Sequence, residues 1–178
     1  MVRSFTFTAV VATAALFLLS TSTTEAAPLR RATYGQTAAL VSASEYCLFL
    51  PPLQGGDIAE NEDRAVAFCN VPIASAPNAG ILPTGFIKTL NFVENTSEQW
   101  VQITGQMDGS TYDLSSKDEG GQYDMRAPVG AICADYNAFV QITEPDQGIY
   151  CLRCCKNKKD CPVNKSEDGC EQVLGGVY

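Results

Sequence analysis

Cysteine is the residue type with the greatest chemical potential in this chain, which has 178 residues and eight cysteines. Five of the cysteines lie within residues 150–170, in the order Cys-x-x-Cys-Cys followed by two that are more widely spaced. Such a pattern could serve a redox site, a metal site or a set of disulfide bonds. The eight positions are Cys47, Cys69, Cys133, Cys151, Cys154, Cys155, Cys161 and Cys170.

A redox bridge between Cys151 and Cys154 is disfavoured by the backbone that their neighbours predict. Residues 149–154 are rich in β-formers, and on an extended strand two residues three positions apart are separated by about 10 Å and face opposite sides. A disulfide needs about 4.4–6.8 Å between its Cα atoms. Cys154 and Cys155 are adjacent, so their Cα atoms are only about 3.8 Å apart, and each should pair elsewhere.

Disulfide bonds are therefore the predicted use of all eight cysteines. If Cys151, Cys154 and Cys155 never pair with one another, they take three of the five other cysteines as partners, and the remaining two pair together. The connectivity stays open, because eight cysteines allow many pairings. A four-cysteine zinc site would use the same residues, but oxidation during secretion favours bridges.

The chain has no histidine, which is the residue on which many enzyme and metal sites depend. Ser-His-Asp and Cys-His catalysis and histidine-based zinc or copper sites are excluded. A carboxylate pair, as in glycoside hydrolysis, stays open as an alternative. Its candidates are Glu60, Glu62 and Asp63 in one group and Asp118 with Glu119 in another, but both groups lie in segments typical of solvated turns or a helix start. We therefore predict no enzymatic activity, no cofactor and no metal, and assign no catalytic residue.

The N-terminus has the pattern of a secretory signal peptide, predicted over residues 1–26. Arg3 supplies a positive charge, an apolar run follows, and small residues around Ala26 form a cleavage site. The run is shorter than the about 20 residues that span a bilayer, although an uncleaved anchor is the alternative. Residues 27–44 are predicted to be a propeptide or flexible lead-in, with a dibasic processing site that ends at Arg31. We expect residues 45–178 to form a single domain outside the cell, free or at the cell wall, without membrane insertion after signal cleavage.

The charge balance and two short motifs fit an extracellular chain. The sequence has 12 Lys and Arg against 20 Asp and Glu, which gives a formal net charge of −8. Nucleic-acid binding requires a basic surface and is therefore not expected. Asn95-Thr96-Ser97 and Asn164-Lys165-Ser166 match the acceptor motif for N-linked glycosylation and lie in polar, turn-like surroundings. Asn95 and Asn164 are accordingly predicted glycosylation sites.

Short segments rich in β-formers alternate with turns along residues 45–178. Two hairpins are predicted, one over residues 86–104 with the first sequon in its turn, and one over residues 138–154 around Glu144-Pro-Asp-Gln-Gly148. Asp57-Ile-Ala-Glu60 has the spacing of a capping box and predicts one short helix, which would run into residues 65–69, a segment that could equally be a strand. The fold class is therefore mainly β: a disulfide-stapled antiparallel β-sandwich or barrel with at most one short helix.

One five-residue motif occurs twice, as Trp100-Val-Gln-Ile-Thr104 and as Phe139-Val-Gln-Ile-Thr143. Within each strand the aromatic residue points to the side opposite the valine and the isoleucine. Two interpretations are open. Trp100 and Phe139 could form an aromatic binding surface that stacks on a sugar ring. They could instead belong to two similar strands of one sheet and be covered by loops, which is the more frequent arrangement of large aromatic residues.

Several short motifs carry a resemblance to known proteins. They are Tyr150-Cys-Leu-Arg-Cys-Cys155, Asp160-Cys161, Asp168-Gly-Cys170 and the Gly-Gly-x-Tyr end, with Leu50-Pro-Pro and Gly55-Gly-Asp-Ile-Ala-Glu60 nearer the N-terminus. In these motifs the chain resembles small secreted cysteine-rich fungal proteins, some of them labelled macrophage-activating-glycoprotein-like, which include candidate effectors. The resemblance implies a fungal source and an extracellular location, and it brings no catalytic residue.

These observations predict a non-enzymatic secreted protein that acts at the fungal surface or the host interface, as an effector during host or root colonisation. Its partner would be an extracellular protein or a glycan. Two alternatives stay open. One is a small carboxylate-dependent glycan hydrolase, and the other is a secreted protease inhibitor that presents a rigid loop such as residues 72–83.

Overall fold

The computed structural model describes Met1, residues 35–165 and residues 167–178. In this part of the chain the fold is built mainly from short β-strands. In chain order the strands are β1 (Thr37–Ala38), β2 (Leu40–Ser42), β3 (Glu45–Leu50), β4 (Val66–Cys69), β5 (Gly80–Ile81), β6 (Asn91–Asn95), β7 (Trp100–Gln106), β8 (Gly121–Asp124), β9 (Ile132–Cys133), β10 (Ala138–Glu144) and β11 (Ile149–Cys155). One α-helix, α1 (Gly169–Val173), and 3-10 turns at Ala59–Asn61, Gly109–Tyr112 and Lys158–Asp160 accompany them in this part of the chain.

The larger sheet has five antiparallel strands in the order β6-β7-β11-β10-β8. Two hairpins build it, β6 with β7 and β10 with β11, and both occupy segments in which hairpins are predicted. The turn of the second hairpin ends at Gly148, whose φ of +66° favours glycine. β11 is the middle strand and is paired along both edges over its whole length.

Two smaller sheets complete the strand pairing. One has four strands in the order β2-β3-β4-β5, in which β4 and β5 are parallel and the other pairs are antiparallel. The other consists of the parallel pair β1 and β9. Strands that are distant in sequence therefore meet in every sheet, and the fold depends on long-range pairing.

The five-stranded and four-stranded sheets pack against each other around the main core. Phe49 of β3 stacks on Phe139 of β10, with 4.8 Å between the ring centroids. Gln141 is fully buried beside them. Its Nε2 donates to the carbonyl oxygen of Phe49 at 2.6 Å, and its Oε1 accepts from the Phe49 N–H at 2.7 Å. The side chain thus takes the place of a neighbouring strand's peptide group at a point where the pairing of β2 with β3 has ended.

The C-terminal segment covers the opposite face of the five-stranded sheet. Arg153 of β11 lies on this face and donates from Nη2 to the carbonyl oxygen of Leu174 at 3.2 Å and from Nε to Oε1 of Gln102 at 2.7 Å. Thr104 donates from Oγ1 to the carbonyl oxygen of Val177 at 3.0 Å. The same face also carries a second small core, which consists of Ala138, Val140, Ile142, Cys151, Cys155, Cys161, Cys170 and Leu174.

All eight cysteines are paired. The bonds are Cys47–Cys69, Cys133–Cys154, Cys151–Cys170 and Cys155–Cys161. Cys154 belongs to the main core, whereas Cys151 and Cys155 belong to the second core on the other face of β11. Cys154 therefore forms its disulfide on one face of β11, and Cys151 and Cys155 form theirs on the other face. As predicted from the sequence, no bond joins two of Cys151, Cys154 and Cys155. The two cysteines that are not their partners, Cys47 and Cys69, are bonded to each other.

The predicted fold class is confirmed, because the described chain is mainly β with antiparallel sheets, four disulfides and one short helix. The capping-box motif forms only a 3-10 turn, in which the N–H of Glu60 donates to Oδ1 of Asp57 at 3.0 Å. The segment after it adopts its strand alternative, β4. No helix in the described part of the chain is long and apolar enough to cross a membrane.

The predicted lead-in, residues 27–44, extends too far towards the C-terminus. Residues within 37–42 form β1 and β2, and Ala38 is fully buried. Small residues without clear periodicity still form strands here, because an alanine fits closely under a neighbouring sheet. The signal peptide predicted over residues 1–26, its cleavage site at Ala26 and the processing site at Arg31 lie outside the described residues.

Candidate functional site

A cleft of about 590 Å³ opens at the edge of the five-stranded sheet, beside β8. Two glycines allow its walls to come close. An ideal Cβ atom on Gly121 would lie 3.2 Å from the Cα of Ala59, and one on Gly169 would lie 2.8 Å from Oε1 of Glu144. The 3-10 turn Ala59–Asn61 and the start of α1 therefore lie directly against the sheet.

Glutamates dominate the lining of this cleft. Glu62, Glu119, Glu144 and Glu167 all line it. Glu144 is held in place, because its Oε2 accepts from the N–H of Cys170 at 2.8 Å, while the other three are exposed. Arg126 also lines the cleft, but its charge is paired with Asp124, so the four glutamates leave an excess of negative charge that attracts cationic ligands. The cleft is thus suited to a cationic ligand and unsuited to an anionic one.

Asp124 organises the wall of the cleft. Its carboxylate accepts from the Nη2 of Arg126 at 2.9 Å, from the backbone N–H of Arg126 at 2.7 Å and from the Nε2 of Gln122 at 2.8 Å. The Nη1 of Arg126 in turn donates to Oδ1 of Asn164 at 2.5 Å. Burial raises the pKa of Asp124, but these hydrogen bonds and the guanidinium charge more than offset burial, so the pKa lies below its ordinary value.

The Asp124 network leaves one acceptor in the cleft wall without a partner. Gln122 is 6% exposed, and no hydrogen bond within residues 35–165 and 167–178 satisfies its Oε1. The amide cannot be turned round, because its Nε2 is the end that the Asp124 carboxylate requires. A buried acceptor of this kind is costly unless a donor reaches it. Because this oxygen is itself buried, it belongs to the interior of the cleft wall and is not presented to a ligand in the cleft.

Replacing Asp124 by asparagine should destabilise the protein by about 1–2 kcal/mol at pH 7, since charge-assisted hydrogen bonds are lost and the half-exposed Arg126 limits the effect. Because the folded-state pKa is lowered, the carboxylate stabilises the protein above the unfolded-state pKa of about 3.9, and this stability is lost as the pH falls through the folded-state value. Urea unfolding from pH 7 to pH 2 should show the gap between wild type and Asp124→Asn closing at acid pH. A gap that is constant with pH, or equal to that of the exposed control Asp63→Asn, would contradict the assignment.

The structure brings together only two of the acidic residues that the sequence offers as candidates for a catalytic pair. Glu62 and Glu119, one from each group, line the same cleft. Asp118 is buried, and its carboxylate accepts from the N–H groups of Ile58 at 2.9 Å and Gly120 at 2.8 Å, so it fixes two loops. Glu60 and Asp63 are exposed outside this cleft. In the described ranges no three acidic, cysteine or histidine side chains converge closely enough to hold a metal ion.

Sequence reasoning missed Glu144, Glu167 and Gln122 as parts of one site. They lie on β10, on the segment before α1 and on β8, and only the strand order and the Cys151–Cys170 bond bring them together. A weak signal was available at Glu144, a charged residue at the end of an apolar strand. Gln122 carries no distinguishing signal, because its buried position follows from tertiary packing alone.

The structure does not bring Trp100 and Phe139 together in one surface, although their two strands, β7 and β10, belong to the same sheet. Across β11, Trp100 is aligned with Cys155 and then with Ala138, so the two copies of the motif are out of step by one residue. A shift of one residue reverses the face to which every side chain points. Phe139 therefore lies fully buried in the main core, whereas Trp100 lies on the opposite face.

Trp100 lines a smaller groove of about 210 Å³ at the end of the β6–β7 hairpin. The guanidinium of Arg153 lies 4.3 Å from the centre of its ring, a cation–π contact. The indole N–H donates to Oε2 of Glu98 at 2.8 Å. Tyr136 and Lys156 line the same groove, and the ammonium of Lys156 lies 5.2 Å from the Tyr136 ring.

The two predicted glycosylation sites lie in different surroundings. Asn95 is the last residue of β6 and lines the groove beside Trp100. Asn164 is exposed, has a φ of +63° and lies at the acidic cleft, where its Oδ1 is bound by Arg126. Glycosylation of either asparagine stays a prediction.

Two curated fungal proteins, both from Mycosarcoma maydis, are similar to this chain. It is 29% identical to Appressorium protein ROW1 over 103 residues, which cover 54% of this chain and 23% of that protein. It is 26% identical to Appressorium protein ROW2 over 153 residues, which cover 72% of this chain and 49% of that protein. The chain thus spans less than half the length of either relative. No protein-family model and no solved structure matches it.

Proposed function

We propose that this protein acts outside the cell, without catalysing a reaction, at the surface where a fungus meets its host. The two fungal relatives support this role, because both are named appressorium proteins and an appressorium is a fungal infection structure. An effector acting during host or root colonisation is the specific form that we propose.

The observation that carries the proposal is the pairing of all eight cysteines. Stable disulfides belong to oxidising compartments such as the extracellular space. Four bonds in one domain also constrain the unfolded chain and raise stability. A protein exposed to the enzymes of two organisms benefits from both effects. The predicted signal peptide over residues 1–26 would supply the route out of the cell.

The acidic cleft is the surface that we propose for partner binding. Its four glutamates favour a partner that presents lysine or arginine side chains. A binding role needs no catalytic pair. It agrees with the use of Asp118, the buried member of the candidate pairs, as a loop anchor.

Deletion of the gene, followed by rescue with secreted variants, tests the proposal. The deletion strain should grow normally in culture but enter host tissue less often, and wild-type protein should restore entry. Glu62→Gln/Glu119→Gln, which removes two charges from the cleft, should fail to restore entry. Glu45→Gln/Glu60→Gln, which removes two exposed charges elsewhere, should restore it.

Three results would count against the proposal. An equal defect in culture and on the host would point to a general role in growth. Full rescue by Glu62→Gln/Glu119→Gln, with both double variants melting at the wild-type temperature, would remove the cleft from the binding role. Hydrolysis of a wall polysaccharide by the purified protein, abolished by Glu119→Gln, would establish the glycan hydrolase instead.

A further inference from the structure

The hairpin of β6 and β7 places a glycosylation motif directly opposite the single tryptophan of the chain. Asn95 and Trp100 are paired in register at the end of the hairpin. Directly opposed residues of an antiparallel pair project from the same face, with Cβ atoms about 4.5–5.5 Å apart. The Asn95 carboxamide and the indole are therefore neighbours.

Hydrogen bonds fix the direction of the Asn95 side chain. Its Oδ1 accepts from the N–H and the Oγ of Ser97 at 3.1 and 2.7 Å and from the N–H of Glu98 at 3.0 Å. Its Nδ2, the atom that N-linked glycosylation modifies, donates to Oε2 of Glu98 at 3.0 Å. The same oxygen accepts from the indole N–H of Trp100 at 2.8 Å. A group attached to Nδ2 would thus leave the asparagine beside the indole.

The groove at this point has the size and the lining for a sugar ring. Its volume is about 210 Å³, and it is lined by Trp100 and Tyr136 together with polar side chains that include Asn95 and Lys156. Arg153 already lies over the indole, so the ring is held in place before any ligand arrives. Aromatic faces accept the C–H surfaces of sugars because both are apolar, while the surrounding polar groups can bind the hydroxyls.

We propose that Asn95 carries an N-linked glycan whose first N-acetylglucosamine packs against Trp100 in this groove. In the transfer, Nδ2 forms a bond to C1 of the sugar, and the bond from C1 to the phosphate of a lipid-diphosphate-linked oligosaccharide breaks. The lipid diphosphate leaves, and Nδ2 loses one proton. The second Nδ2 proton remains available to Glu98. The inference rests on the proposed function only in requiring that the chain pass through a secretory pathway.

Asn164 provides the internal comparison. Its Oδ1 is bound by Arg126, and it faces a cleft whose lining contains no aromatic residue among the described ones. A glycan on Asn164 would therefore have no aromatic ring to pack against. Since Trp100 is the only tryptophan in the sequence, fluorescence excited at wavelengths that tyrosine does not absorb reports on the Asn95 groove alone.

The experiment uses the full chain secreted from a fungal host. Peptide mapping should find sugar on Asn95. Endoglycosidase H, which leaves the first N-acetylglucosamine, should keep the fluorescence of Trp100 and its quenching by acrylamide unchanged. Peptide N-glycosidase F, which removes every sugar and leaves aspartate in place of Asn95, should shift the emission to longer wavelength, increase quenching and lower Tm by about 2–4 °C. Ser97→Ala abolishes the motif but keeps Asn95 as an unmodified amide, so it should show the same shift in emission without the aspartate charge, and Asn164→Gln should leave the emission unchanged.

Two outcomes would overturn the inference. One is unmodified Asn95 in protein recovered from the culture medium. The other is emission and quenching that do not change when the last sugar is removed from Asn95. Either result refutes the inference alone and leaves an extracellular role standing. Failure of the deletion and rescue test refutes the proposed function and leaves the Asn95 result standing.

Discussion

Replacement of Gln141 by leucine is expected to lower the free energy of unfolding by about 2–6 kcal/mol, although the two side chains have nearly the same size. The change leaves the N–H and the carbonyl oxygen of Phe49 buried without partners, and each such group costs about 1–3 kcal/mol. Against a total stability of about 5–15 kcal/mol this is a large fraction. Urea unfolding of the purified, oxidised protein would measure it.

Gln172→Leu is the matched control, because it makes the same chemical change at an exposed position of α1. We expect it to change stability by less than about 0.5 kcal/mol. A loss below about 1 kcal/mol for Gln141→Leu would mean that the Phe49 backbone finds other partners. The bridge between the two sheets would then be dispensable.

Removal of the Cys133–Cys154 bond by double substitution with alanine is expected to cost about 3 kcal/mol. This bond ties β9 to the central strand of the larger sheet and has a sequence separation of 21. Chain-entropy arguments make a bond more stabilising as the loop that it closes becomes longer. Thermal unfolding of the variant under oxidising conditions would give the difference.

The Cys155–Cys161 bond supplies the comparison within the same molecule. It leaves the same strand but has a sequence separation of only 6, so the corresponding double alanine variant should lose about 2 kcal/mol. All four cysteines are buried to a similar degree, and the loss of sulfur from the core is therefore comparable. The reverse order of the two effects would show that packing around the bonds, rather than loop closure, decides their contribution.

The cysteine pattern could be interpreted correctly from the sequence up to a definite point. The adjacency of Cys154 and Cys155 and the strand geometry of Cys151 and Cys154 excluded local bonds, and the structure agrees. The identity of each partner could not be derived. Cys154 meets Cys133 because β9 lies under the main-core face of β11, which depends on how the sheets pack.

The repeated motif shows why a pattern within one strand does not fix the orientation of its side chains in the fold. Trp100-Val-Gln-Ile-Thr104 and Phe139-Val-Gln-Ile-Thr143 have the same alternation, yet a one-residue offset across β11 sends their aromatic residues to opposite faces. The two glutamines differ for the same reason. Gln141 joins the two sheets, whereas Gln102 binds Arg153 beneath the C-terminal segment. Register is set by pairing partners, which a single sequence does not reveal.

The acidic cleft could not be predicted from the sequence, because it too depends on which distant segments meet in the fold. Its glutamates come from four separate segments, and only Glu62 and Glu119 stood in acidic groups that attract notice. The prediction of mainly β structure did not say which turns would meet at the edge of β8. Local patterns gave the strands and the hairpins, while the site depends on contacts between distant segments.

The disulfide map also determines how the protein responds to mechanical force. If residues 35 and 178 were pulled apart, the force would cross the Cys47–Cys69 bond and then follow the chain to Cys133. It would next cross to Cys154, follow β11 back to Cys151 and cross to Cys170. Apart from the two ends, only the segment between Cys69 and Cys133 can lengthen, so β6, β7 and β8 would peel away while the β3–β4 pair and the β10–β11 hairpin stayed closed. The covalent bonds thus set a limit to the extension of the chain under tension.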